Sequence, residues 1–471
     1  MLFNSATFVV FFALFIGFWP LLRRRDNTRW AYLTGASLFF YGWWDWRFIF
    51  LLLASGLIDF LAALGISRWP ARKRWLLLAS VLGNVGVLVT FKYLDFALRN
   101  INRLLGLAGL DAAVPLVSLT LPIGISFYTF QSMSYTIDVY RGRLAPTDNV
   151  LHFFAYLAMF PQLVAGPIVR AADLLPQLAT VRIPDEPQRW EGLKLIIFGY
   201  AKKMLVADHL AQVIEPAFAA PQPAESCALW WLVMVMFAFQ IYCDFSGYSD
   251  IARGLAKWMG YEFPLNFDHP YIASSLREFW TRWHISLSTW FRDYVYIPLG
   301  GSRGGRLGNY GNLFVTMVIS GVWHGASWCM LLWGVVHAVY LAIERRTEWP
   351  RRLSRLPAGR PVATLLAFAL VVVAWAFFRA VGVTQALQII RTMFSFHHLN
   401  LAAAREVIGR EHLLLVGVVG LRQLYFYFGI DRRVRGWPLP IPYLEPVALA
   451  ALMWACVFLR APGQEFIYFQ F

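Results

Sequence analysis

The chain has 471 residues, of which 59% are apolar, 17% aromatic and only 15% charged. A soluble domain carries about a quarter charged residues, so this composition, with 21 Trp and 39 Phe, excludes a water-soluble globular protein, a disordered chain, collagen and a coiled coil. The formal charge is +15, yet the excess of Lys and Arg gathers in short clusters between apolar runs, which reads as a topology signal and not as a nucleic-acid surface.

Apolar runs of helical length recur at 6–22, 29–45, 47–66, 75–97, 115–139, 149–169, 191–213, 228–256, 312–343, 362–379, 411–430 and 444–460. A hydrocarbon core roughly 30 Å thick takes about 20 helical residues, so the expected fold is an all-α polytopic membrane protein. About ten to twelve spans and some interfacial or re-entrant helices would form one domain over 1–471. The first run, Ala6 to Leu22, has its charges behind it at Arg23, Arg24 and Arg25. A cleaved signal carries them in front, so this run is expected to stay as a first helix with its start outside. Basic clusters at 23–29, 68–74, 345–360 and 432–435 are all compatible with a cytoplasmic location, which puts both chain ends outside. Residues 257–311 mix Tyr, Trp, Arg, Asp and His with apolar residues and read as an interfacial or re-entrant insert. Segments 171–190, 215–226 and 381–410 read as loops, the last with a helix over 385–396, and 462–471 as an aromatic tail. The four cysteines, Cys227, Cys243, Cys329 and Cys456, have no paired spacing, so neither a disulfide framework nor a metal site is expected.

A charged or imidazole side chain in hydrocarbon costs several kcal/mol unless paired or hydrated, so polar clusters inside apolar runs mark where chemistry sits. The first, 160–170, interrupts a run with Pro161, Gly166 and Pro167 around Gln162. It reads either as a broken helix lining a cavity or as a packing kink. The second, 240–250, sets Asp244 beside Tyr248 and Ser246 beside Asp250 at helical spacing. A structural hydrogen-bond network is favoured there over direct catalysis. The third, 277–294, pairs Glu278 with Arg282 and His284 with Ser288 at i,i+4, as on an amphipathic element roofing a pore or a solvated face anchored by Trp.

The fourth, 320–328, sets Trp323, His324 and Ser327 among Gly321, Gly325 and Ala326 inside the run 312–343. A neutral imidazole takes and returns a proton near pH 7, which makes His324 a candidate general base, with the small residues leaving room for substrate or a close helix. The alternative is a core histidine bonded to a neighbouring helix; depth in the membrane favours function. At about 100° per residue, His337 points well away from that face and reads as structural, and Cys329 is off the stripe too. A Gly-rich stretch, 300–306, offers backbone N–H groups with Arg303 and Arg306 to the phosphates of a coenzyme A or phosphopantetheine donor, with a flexible linker as the plainer account. No G-x-S-x-G elbow, H-E-x-x-H pair, Walker loop or dinucleotide fingerprint is present.

In order along nearly the whole chain, the opening Met-Leu-Phe-Asn-Ser, 160–170, 242–250, 280–301, 322–328 and the ending Phe466-Ile467-Tyr468-Phe469-Gln470-Phe471 resemble the membrane-bound O-acyltransferase (MBOAT) family. Within it they are most similar to the bacterial branch that holds the alginate O-acetyltransferase membrane subunit. The resemblance implies a bacterial inner-membrane transferase that passes an acyl group from a cytoplasmic thioester, acetyl-CoA or another acyl donor, toward hydroxyls of an extracytoplasmic polysaccharide. It implies His324 as the essential histidine and His284 at the other part of the tunnel. It also implies an outside partner of the serine-hydrolase kind, in keeping with the missing nucleophile elbow. Related D-alanine-loading systems use a C-terminal aromatic motif with a tyrosine as an acyl relay, and Tyr468 matches it; an aromatic membrane anchor is the alternative. The rival readings are D-alanyl transfer to teichoic acid from a carrier protein, acylation of a lipid or protein, and a secondary transporter.

Overall fold

The computed structural model describes residues 1–110, 113–220, 224–303, 305–396, 399–430 and 443–467. Among these residues every regular element is helical and no strand occurs. Five helices are long and apolar enough to cross a membrane: Arg47–Arg68, Pro70–Leu107, Cys227–Met259, Trp328–Thr347 and Gly359–Arg379. Two shorter apolar helices, Ala6–Leu22 and Leu444–Phe458, join them. The chain is an all-α, multi-pass membrane protein.

Several runs that read as single spans are broken. Residues 115–139 become helical only at Ile125, after Gly124 adopts a positive φ of 79°, a conformation glycine reaches without cost. The run 149–169 divides into Val150–Leu157 and Phe160–Leu163. The run 312–343 divides into Gly305–His324 and Trp328–Thr347, because Ser327 takes up the Met330 N–H at 3.2 Å and starts a new helix as its N-cap. In the other direction, the expected loops carry the helices Ala171–Leu178 and Leu401–Val407.

Two compact units interleave along the sequence. The first comprises Met1–Ile196 and Tyr248–Pro264, the second Ile197–Gly247 and Leu265–Phe471. In the first unit, the carboxylate of Asp59 is buried and filled by neutral donors. It accepts from Ser80 Oγ, from Asn84 Nδ2 at 2.8 Å and from Thr136 Oγ1 at 2.9 Å. A buried polar network is stable only when its members are satisfied, and this one ties together Arg47–Arg68, Lys73–Leu88 and Ile125–Tyr140. Arg29, in the basic cluster 23–29, is buried. Its Nη2 and the Trp30 Nε1 donate to the Leu178 carbonyl at 2.8 and 2.9 Å, satisfying an end carbonyl of Ala171–Leu178 that has no intrahelical partner. The 160–170 segment is packed: Phe160 meets the rings of Phe11 and Phe15 edge-on at 5.3 Å each. Gln162 donates to the Tyr156 carbonyl at 2.6 Å, so its amide serves the helix break itself.

In the second unit, Gly305–His324 and Trp328–Thr347 form a tight helical hairpin. A Cβ on Gly321 would collide with the Met330 carbonyl oxygen, and one on Gly334 would lie 2.5 Å from that of Met317. Of the two uses expected for the small residues, room for substrate or a close helix, Gly321 serves the close helix.

Candidate active site

The hairpin sets His324 at the last position of its first helix, 4% exposed. Among the described residues, three aromatic side chains wall the imidazole: Trp323 at 4.9 Å between ring centroids, Trp333 at 5.1 Å and Phe378 at 5.3 Å, all edge-on. Phe378 comes from Gly359–Arg379. The indole of Trp323 also meets the imidazole of His284 at 6.4 Å, so one indole neighbours both histidines.

His284 does not lie within a helix, as the continuous reading of 277–294 has it. The helix Leu276–Arg282 stops, His284 turns into the left-handed region at φ 43° and ψ 55°, and Ile285–Phe291 begins. A non-glycine residue in that region has to be held there by its surroundings. Asn266 supplies the hold. Its backbone carbonyl accepts the Ile285 N–H at 2.9 Å. Its Oδ1 accepts the Ser286 N–H at 3.2 Å and Ser286 Oγ at 2.8 Å, and lies 3.2 Å from His284 Nδ1. An acceptor oxygen facing Nδ1 fixes the proton there and makes Nε2 the basic nitrogen of the ring. His284 is fully buried, and that burial draws its imidazole down to about 3. It is neutral at physiological pH. The Glu278–Arg282 pair expected on this insert is present, Nε to Oε1 at 3.0 Å.

The helical-wheel argument that set His337 apart does not hold, because the helix is broken between the two histidines. Trp333 stands 5.1 Å from His324 and 4.8 Å from His337, so His337 belongs to the same aromatic cluster. Cys329 is likewise on the new helix, and it is buried.

The remaining residues singled out in the sequence divide. Asp244, in the second unit, pairs with Lys203 at 2.7 Å. Tyr248 and Asp250 belong to the first unit, where Tyr248 stacks on Phe3 at 4.5 Å and Asp250 lies 3.7 Å from Arg253. Gln162 is in the first unit too, and Ser327 acts as a helix N-cap. The 300–303 stretch is a turn, with Gly300 and Gly301 at positive φ and Asn312 Nδ2 donating to the Gly301 carbonyl at 3.1 Å. Arg303 is exposed beside it. The side chain of Arg306, Tyr468 and the basic cluster 432–435 lie outside the described residues. Among the described residues no three His, Cys, Asp or Glu side chains come together as ligands for a metal.

Sequence reasoning missed Asn266, whose role depends on a contact 18 residues along the chain, and Lys203 with Asp208, which did leave a trace as opposite charges inside the apolar run 191–213.

The model of the membrane-bound O-acyltransferase family matches residues 144–384. The chain belongs to that family. The match spans both histidines, Asn266 and the hairpin. The chain is 41% identical over 444 residues to the Pseudomonas aeruginosa protein named "Probable alginate O-acetylase AlgI", covering 90% of this chain and 82% of that one. It is 33% identical over 433 residues to the peptidoglycan O-acetyltransferase of Helicobacter pylori, covering 85% and 81%. Against the teichoic acid D-alanyltransferase of Streptococcus thermophilus the identity is 29% over 256 residues, 52% of this chain and 61% of that one. As a member of the family with these relatives, the protein is an O-acyltransferase.

Proposed function

We propose that the enzyme transfers an acetyl group from a cytoplasmic thioester, acetyl-CoA or an acyl carrier protein, toward hydroxyls of an extracytoplasmic polysaccharide. Alginate and peptidoglycan, named for its relatives, are the acceptor classes to try first. The observation that carries the reading is the indole of Trp323 lying against both His324 and His284, two imidazoles in a desolvated aromatic enclosure. His324 removes the proton from an acceptor hydroxyl as its oxygen bonds to the thioester carbonyl carbon. The carbon–sulfur bond then breaks, and the departing thiolate takes that proton back from the imidazolium. Excluding water matters because the competing reaction is hydrolysis of the thioester. His284, neutral with Nε2 as its basic nitrogen, orients the donor or shares the proton transfer.

Tyr468 acts as a transient acyl carrier in this scheme, since a phenyl ester is more reactive than an alkyl ester. A serine-hydrolase-like partner outside the membrane completes delivery. Arg303 and Arg306 are the candidates for the donor phosphates. The protein resides in the bacterial cytoplasmic membrane with both ends outside. Incubating purified protein with acetyl-CoA tests the scheme: coenzyme A should be released and the intact mass should rise by one acetyl group that is absent in Tyr468→Phe. A secondary transporter would leave the thioester intact, and a chain never modified during turnover would exclude the tyrosine relay. A carrier-protein donor with D-alanine is the second reading, prompted by the teichoic acid relative.

A further inference from the structure

The second unit contains a charged cluster apart from the histidines. Lys203 lies between two carboxylates, 2.9 Å from Asp208 and 2.7 Å from Asp244. The side chains are 11%, 2% and 3% exposed, in that order. Gly247 makes the arrangement possible: a Cβ there would lie 2.7 Å from the Gly199 carbonyl oxygen and 3.2 Å from Lys202. That close approach brings the Ala201–Ala207 turn of π-helix onto the face of Cys227–Met259 carrying Asp244. Removing two carboxylates and an ammonium from water is expensive, and a buried ion pair is weak evidence for stability by itself. The cost calls for a use.

Two of the side chains grip one irregular stretch of backbone, and the third, Asp208, holds Lys203. Lys203 Nζ donates to the Gln464 carbonyl at 3.0 Å, and the Ile467 N–H donates to Asp244 Oδ2 at 2.7 Å. Buried non-helical backbone persists only where its polar groups find partners, and here charged groups supply them. The grip buries Phe466 and Ile467. Phe466 packs edge-on against Phe245 at 5.6 Å, and Phe245 packs edge-on against His284 at 4.6 Å.

We propose that Lys203, Asp208 and Asp244 form a charged clasp for residues 464–467, and that the clasped segment positions Phe245 against His284. The three are positioning residues for acyl transfer. The functional half of this inference rests on reading the histidine pair as the transfer centre; the clasping half does not. A side chain held by packing keeps a reacting group within a fraction of an ångström of its productive geometry, and loosening it lowers turnover more than donor binding.

The test uses the full-length protein with Ile467→Cys, its labelling by a maleimide read by intact mass against the four buried native cysteines. The clasp predicts slow labelling in this parent, and labelling at least about tenfold faster once Asp244→Ala removes the acceptor, because the segment then opens locally. Asp244→Asn, which keeps an acceptor oxygen, should restore most of the protection. Coenzyme A release is followed in the same samples. It should fall about tenfold in kcat with little change in the donor KM in Asp244→Ala, and equally in Phe466→Ala, which removes the ring packed on Phe245 and leaves the triad and Tyr468 in place. Combining the two changes should cost nothing further. Unchanged labelling in Asp244→Ala overturns the clasp. Faster labelling with unchanged kcat, or full turnover by Phe466→Ala, overturns the positioning role. His324→Ala is run beside them: if it turns over at the parent rate, the reading of the histidines has failed, whatever the 464–467 segment does.

Discussion

Nδ1 of His284 lies 3.2 Å from Oδ1 of Asn266, and the same oxygen accepts from Ser286 twice. One asparagine thus holds the left-handed turn at His284, sets its tautomer and starts the following helix. Asn266→Ala leaves a buried imidazole N–H and a buried hydroxyl without their acceptor, at about 1–3 kcal/mol for each unsatisfied group. Acyl transfer should fall on the order of tenfold to a hundredfold, as seen when a partner orienting a functional histidine is removed, while His324 and its aromatic wall stay in place. Thermal unfolding in detergent together with coenzyme A release checks both effects. Parent-like turnover would show that the tautomer of His284 does not matter.

The insert carries a pH signature. Burial lowers His284 to about 3 and, with Arg422 nearby, lowers His269 to about 4, against about 6.5 in an unfolded chain. Below about 6.5 the unfolded chain binds protons that the folded one refuses, so the contribution is full above that pH. It is lost as pH falls toward 4 and then 3, at up to about 1.4 kcal/mol per pH unit per histidine. Melting temperature should therefore drop from pH 7 to pH 5, and His284→Asn should flatten the drop. An unchanged slope in that variant would contradict the burial of a neutral ring.

The hairpin depends on glycine at two contacts. Gly321→Ala drives a methyl into the Met330 carbonyl, and overpacking of this kind costs about 1–3 kcal/mol. The change should also displace His324, three residues on, and depress kcat. Gly17→Ala, on a helix face with open space around it, is the matched control and should leave both melting and turnover unchanged. Equal melting temperatures for the two variants would refute the close approach of the hairpin helices.

Much of the helical frame is legible in the sequence, and the reason is local. Helices such as Ala6–Leu22 and Arg47–Arg68 fall on the apolar runs read at 6–22 and 47–66. The breaks are harder to read, because each depends on a partner distant in sequence. His284 leaves helical geometry for Asn266, and the 464–467 segment is set by Lys203 and Asp244, more than two hundred residues earlier. The turn after His324 left a local sign, Ser327 ahead of an apolar stretch, a helix N-cap pattern. Treating 312–343 as one helix hid it and set His337 on the wrong side. His324 stood out because an imidazole within an apolar run is expensive without a role; His284, in the mixed insert 257–311, was marked by the family resemblance. Asn266 did not stand out, because an asparagine in a Pro- and Asp-rich loop resembles any turn residue.

The central claim is that His324 is the base for acyl transfer, and the most direct measurement is coenzyme A release from acetyl-CoA by purified protein with His324 intact or replaced by Ala. The account predicts a loss of at least about a hundredfold in kcat, the scale of a missing general base, in a variant that melts near the parent temperature, with His337→Ala retaining most of its rate. A His324→Ala protein that folds and cleaves the thioester at the parent rate would contradict it.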